Sequence, residues 1–265
     1  LSQDPTPLAQ AAVCFDLLCN ALFSCYKSQN IDNGPAALPP FPITVQRRLI
    51  VSALIPENIE ELVAEYQRIW PLMPRLHAEA SKLADKNAIK ACGKRLHLLS
   101  NAPGGKRTLV FEDEKETDFF QDYVNYMYQP HGMSLVRQLR NRKRHAAGSD
   151  EQNMLELMVH ARFSLFWVRE LVPLGGVVAV DVVTGEKLFI LDQTLPQQEV
   201  TGLLIALRVF PFKKVWMHTG AGLPLGHIDD AAGFQPLNCH MSIKEEEQLN
   251  RDTFLRWQHE TRDQA

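Results

Sequence analysis

The sequence predicts an α+β protein, with a helical N-terminal part, then a small antiparallel β-barrel or curled sheet, then a C-terminal helix. Three observations carry this. Apolar residues recur at helical spacing up to about residue 160. Near residue 163 the pattern changes to short runs rich in β-branched and aromatic residues, separated by turn residues. Ser242 followed by Glu245 then reads as a capping box opening a polar helix. The implied divisions are a helical region over 1–160, the β part with a Gly/Pro-rich loop over 161–241, and the helix over 242–265.

Within the helical part, residues 8–27 read as a mostly buried helix, with Asp16, Asn20, Ser24 and Lys27 forming one polar stripe. The Pro- and Gly-rich stretch 32–42 is a loop, and 44–54 reads as helix. In PENIEELVAEYQRIW, residues Ile59, Leu62, Val63, Tyr66, Ile69 and Trp70 share a helical face. Glu57, Glu60 and Glu61 crowd its first turns, where the helix dipole favours carboxylates. Pro71 and Pro74 end it. The pattern then predicts one helix over about 75–99, stopping at Asn101-Ala-Pro-Gly-Gly105. An aromatic-rich helix follows over 116–128, then a basic stretch at 137–144 and a helix over 150–161.

In the second part, SLFWVREL, GGVVAVDVV, EKLFILDQ, GLLIALRVF and KKVWMHT read as strands, with Thr184-Gly185 as a hairpin turn. Residues 219–241 read as a loop.

Composition narrows the setting. The chain has 28 Lys and Arg against 31 Asp and Glu, a formal charge of −3, so no global positive field draws it to polyanions or anionic membranes. The five cysteines, with no Cys-x-x-Cys, argue against a secreted disulfide framework and for a reducing, cytoplasmic setting. The apolar stretch 8–26 lacks a basic leader and is too polar for a membrane span.

From about residue 119 to 225 the order of features is distinctive: Phe119, Phe120 and Tyr123 on a helix, His131-Gly132, ARFSLFWV, the hairpin VVAVDVVTGEKLFILD and the strand GLLIALRVFPF. It resembles a group of uncharacterised bacterial proteins, some of which carry a C-terminal SEC-C zinc-binding motif. The resemblance implies a helical region joined to a small barrel in a bacterial cytoplasm. It supplies no reaction. No cysteine-rich SEC-C motif follows here, and Cys239-His240 stands alone, so that motif's zinc and partner roles do not carry over.

Three clusters bear chemistry. Arg137, Arg140, Arg142, Lys143 and Arg144 lie in a stretch without acidic residues. Guanidinium forks suit phosphate oxygens, and the tyrosines upstream could stack bases. The plainer reading is a solvated helix end with the aromatics in the core. The loop at 218–240 holds His218, His227, Asp229, Asp230, Cys239 and His240, donors that suit zinc or another divalent metal but lack a tight ligand spacing. Gly220, Gly222 and Gly226 form no P-loop pattern. Finally, Asp118 and Asp122 share a helix face and could hold a cation, although carboxylates near a helix N-terminus are stabilising in their own right. There is no Gly-x-Ser-x-Gly elbow.

The leading expectation is therefore a non-enzymatic binding or adaptor protein that contacts nucleic acid through Arg137, Arg140, Arg142, Lys143 and Arg144, with no cofactor. The competing one is a metal-dependent hydrolytic enzyme using His218, His227, Asp229 and His240. A third is a structural subunit that contacts another protein.

Overall fold

The computed structural model describes residues 54–101, 105–228 and 236–263. The helices expected over 8–27 and 44–54, together with Cys14, Cys19, Cys25 and Asp229, lie outside the described residues apart from Leu54, which sits in a turn.

Helix α1 (Ile59–Ile69) buries Leu62, Tyr66 and Ile69, with Glu60 and Glu61 in its first turn. Pro71 does not simply end the helical run but stands at the N-cap position of α2 (Leu72–Ser81), which buries Met73, Leu76, His77 and Ala80 at i, i+3, i+4 and i+7. The single helix expected over 75–99 is in fact two. The Asp85 side chain accepts the Ala88 N–H at 2.7 Å and starts a new helix, α3 (Lys86–Arg95). An Asx cap of this kind satisfies amides that helix continuation would otherwise engage. His97 then takes a left-handed φ of 54°, and a short hairpin follows, β1 (Leu99–Asn101) against β2 (Arg107–Leu109).

Asp113 caps α4 (Glu114–Tyr126) by accepting the Glu116 N–H at 2.8 Å. Phe119, Phe120, Tyr123 and Tyr126 on α4 are all buried, so these aromatics are core and not a base-stacking platform. Helices α5 (Leu135–Asn141) and α6 (Asp150–Met158) complete this layer.

The β part is five strands: β3 (Arg162–Val172), β4 (Gly176–Asp181), β5 (Lys187–Leu191), β6 (Leu203–Phe212) and β7 (Val215–His227). The sheet curls in the order β3-β4-β5-β7-β6, and β6 returns to pair with β3. All ladders are antiparallel except the β5–β7 seam, which is one parallel bridge, Ile190 to Trp216. The sheet is thus curled, with its edges meeting at a narrow seam. Thr184-Gly185 lies in the β4–β5 turn, where Asp181 accepts the N–H groups of Val183 and Thr184.

The loop expected from 219 is corrected. Strand β7 continues to His227, paired with β6 as far as Leu203. The glycines serve close approach here: a Cβ on Gly222 would lie 2.6 Å from the Leu207 side chain. Helix α7 (Ile243–Arg262) opens with the expected capping box of Ser242 and Glu245.

Strand residues alternate between two apolar clusters. Phe166, Val168, Ala179, Ile190 and Val209 pack with one another inside the curl. Phe163, Leu165, Val178, Phe189 and Phe210 face outward and merge with the helices into one continuous core. With both faces covered, the strands read as nearly unbroken apolar runs. Among the described residues, no helix is long and apolar enough to cross a membrane.

Candidate functional site

One charge interrupts the apolar run of β6. Arg208 is only 1% exposed, and a buried cation requires partners. Two helices supply them. Its Nε donates to Asp122 Oδ2 on α4 at 2.7 Å, and its Nη1 donates to Glu246 Oε1 on α7 at 2.7 Å. Its guanidinium lies 4.8 Å from the centre of the Tyr126 ring. Burial alone would favour neutral arginine, but the two carboxylates outweigh it and hold the charge. The other Asp122 oxygen, Oδ1, accepts from Thr219 Oγ1 of β7 at 2.7 Å. Glu246 Oε1 also accepts the Phe163 N–H at 2.8 Å. This cluster of two carboxylates and one guanidinium carries a net negative charge inside the protein.

Above it opens a cleft of about 190 Å³ between α1, α2, α4 and β7. Trp70, Met73, His77, Asp118, Asp122 and Thr219 contribute to its walls. Trp70 is stacked 5.1 Å from the Tyr66 ring and lies 5.2 Å from the His218 ring at a tilt of 52°. His77 Nε2 lies 3.0 Å from the Tyr126 hydroxyl. Burial pushes the His77 imidazole down to about 4, with Asp122 opposing and Arg208 reinforcing, so the ring is neutral at pH 7. The Asp118 carboxyl is pushed up by burial and by Glu114 and Asp113.

The structure scatters the expected metal ligands. His218 is buried with both ring nitrogens occupied: Gly220 N–H donates to Nδ1 at 3.1 Å, which leaves Nε2–H to donate to Asp192 Oδ2 at 2.5 Å. Burial would raise the Asp192 carboxyl, but His218, the Leu195 N–H and Thr194 outweigh it and hold the carboxyl down at about 2. His227 lies nine residues further along β7, about 30 Å of extended chain, too far to share an ion with His218. His240 is exposed. Among the described residues, no group of three or more His, Cys, Asp or Glu side chains is placed to hold a metal. Asp122 has both oxygens engaged by protein groups, so the Asp118–Asp122 pair offers no bare chelate. Cys92 and Cys239 are buried, and burial pushes the Cys92 thiol up to about 12.

The basic residues are placed differently. Arg137 and Arg140 lie on the short helix α5, but Lys143 takes a left-handed φ of 49°. The run therefore leaves the helix, and Arg144 does not continue its face. Arg140 pairs with Glu156 at 3.6 Å. Arg137, Arg142, Lys143 and Arg144 are exposed and have no carboxylate partner among the described residues. The acidic residues that follow are already engaged, Asp150 by Arg68 and Glu151 by Arg75.

Sequence reasoning missed the Asp122–Arg208–Glu246 cluster and the cleft. For the cluster a signal existed, since one arginine inside LLIALRVF must be paired if the strand is buried. For the cleft none did, because its walls come from three segments distant in sequence.

A family model described as a family of unknown function (DUF7986) matches residues 60–228. That span includes the cleft, Arg208 and the basic segment, and stops short of α7. No curated protein and no solved structure matches the chain.

Proposed function

The chain belongs to the family of unknown function DUF7986, and for this member we propose a non-enzymatic binding role, in which the basic segment at 137–144 engages the phosphate backbone of nucleic acid. One observation carries the reading. Arg68, Arg75, Arg95, Arg162, Arg208, Arg256 and Arg262 are each neutralised by a carboxylate. Arg137, Arg142, Lys143 and Arg144 are left bare together on one short segment. Bare guanidinium groups pair well with phosphate oxygens. With the α4 aromatics in the core, contact rests on the backbone and not on stacked bases, which positions a protein without reading sequence.

The reading as a metal-dependent hydrolase is weaker, because His218 is engaged at both nitrogens and His227 lies at the far end of the same strand.

The test is a titration of labelled single- and double-stranded oligonucleotides across a salt series. The wild type is compared with a variant carrying Ala at Arg137, Arg142, Lys143 and Arg144. Four phosphate contacts give a log–log salt slope of about −3.6 on duplex and about −2.8 on single strands. The variant loses most of that binding. No binding by the wild type at low salt, or equal binding by the variant, would overturn the proposal.

A further inference from the structure

The cleft beneath Trp70 has the chemistry of a site for a small cation. Its lining contains no Lys or Arg. Asp118 lines it and has no ion-pair partner among the described residues. Beneath it, Asp122, Arg208 and Glu246 leave one negative charge uncompensated. His77 adds no opposing charge, since its imidazole is neutral at physiological pH. One wall is the Trp70 indole, held in place by Tyr66 and His218, and an aromatic wall of this kind attracts a cation through its π-face.

A second feature is independent of charge. His77 is only 8% exposed, and its Nε2 faces the Tyr126 hydroxyl. Its Nδ1 has no partner among the described residues, yet the ring lines the cleft. The Tyr126 hydroxyl proton has no other acceptor among the described residues, so it donates to Nε2, which leaves Nδ1 as the N–H donor. That N–H belongs to a ring that lines the cleft, where water or a ligand can accept from it. The cleft thus offers the Asp118 carboxylate, the Trp70 indole and the His77 N–H donor.

From this geometry we infer that the cleft binds a small organic cation, an alkylammonium that also carries one hydrogen-bond acceptor such as a hydroxyl. The ammonium sits between Trp70 and Asp118, and the acceptor faces His77. The size fits: about 190 Å³ is below the roughly 300–1,000 Å³ of sites for drug-sized ligands. Because Asp122 is committed to Arg208 and Thr219, the site suits a diffuse organic cation better than a chelated metal ion.

The experiment uses choline as the probe and 3,3-dimethylbutanol, its uncharged isostere, as the control, read by calorimetry on the full chain. Choline is expected to bind at least tenfold more tightly than the alcohol. Asp118→Asn, an exposed substitution that leaves the buried cluster intact, is expected to weaken choline at least fivefold with little effect on the alcohol. Trp70→Phe tests the aromatic wall and is expected to weaken choline without abolishing it. Equal binding of choline and the alcohol, binding unchanged in Asp118→Asn, or no binding of choline at millimolar concentration would each overturn the proposal. The outcome does not depend on the basic segment, which lies outside the cleft.

Discussion

Protonation of His77 should dominate the loss of stability in mild acid. The ring is buried on α2 and its imidazole is held down at about 4, against an ordinary value of 6.5. Above pH 6.5 the ring is neutral whether the chain is folded or not, and the contribution is fully present. Between 6.5 and 4 the unfolded chain takes up a proton that the folded chain refuses, so stability falls as pH falls. Each pH unit in that window costs about 1.4 kcal/mol, which makes the whole loss about 3 kcal/mol. Asp192, held down at about 2 against 3.8, contributes only below the window. The assay is urea unfolding at pH steps from 7.5 to 4.5, for the wild type and His77→Gln. Every other ionisable group is common to both proteins, so its contribution cancels in the difference. The advantage of wild type over variant should shrink steadily from pH 6.5 downward. A difference flat across the range would refute the reasoning and place the imidazole in contact with water.

The buried charge cluster makes a prediction of a different kind. Arg208→Met leaves Asp122 and Glu246 uncompensated and should cost about 3–5 kcal/mol, whereas adding Asp122→Asn and Glu246→Gln should restore much of that loss. Equal urea midpoints for the single and triple variants would contradict this account. Gly176 has φ 151°, and a Cβ there would stand 2.0 Å from the Ile190 carbonyl oxygen on the neighbouring strand. Gly176→Ala should therefore cost about 3 kcal/mol or more, measurable as a fall in thermal midpoint. Ser242→Ala removes the capping box of α7 and should cost about 1 kcal/mol, while Ser242→Asp should retain most of that stability.

Elements whose cause is local were legible in the sequence. The five strands are continuous runs of β-branched and aromatic residues between turn residues, and Ser242 and Glu245 announce α7 three residues apart. The expectation failed where a single side chain or a distant strand decides the outcome. Asp85 splits a helical pattern that periodicity alone would run on to residue 99. The Gly-rich stretch after Thr219 reads as loop, yet β6 lies alongside it and the absent side chains let the two backbones approach. The expected metal ligands were collected by closeness in sequence, whereas extended chain carries His218 and His227 apart. The cleft depends on Trp70, His77, Asp118 and Thr219, which only the packing of α1, α2 and α4 on β7 brings together.

Helix α7 has a consequence for the order in which this molecule can be completed on the ribosome. Glu246 reaches back to Arg208, Glu247 accepts from the Tyr123 hydroxyl and from Arg95, and Gln258 and Arg262 reach Glu116. Each of those partners has been synthesised well before the helix that satisfies it. Until residue 246 emerges, a nascent chain holds Arg208 against Asp122 alone, with Phe119 still waiting for the Phe254 ring that stacks on it. The sheet and the helical layer can form in outline during synthesis, but their shared polar interior closes only when the last described helix docks. A nonsense change between His227 and Ser242 would therefore yield a chain with Arg208 short of one carboxylate and an uncovered aromatic face, the kind of product that cellular proteolysis removes.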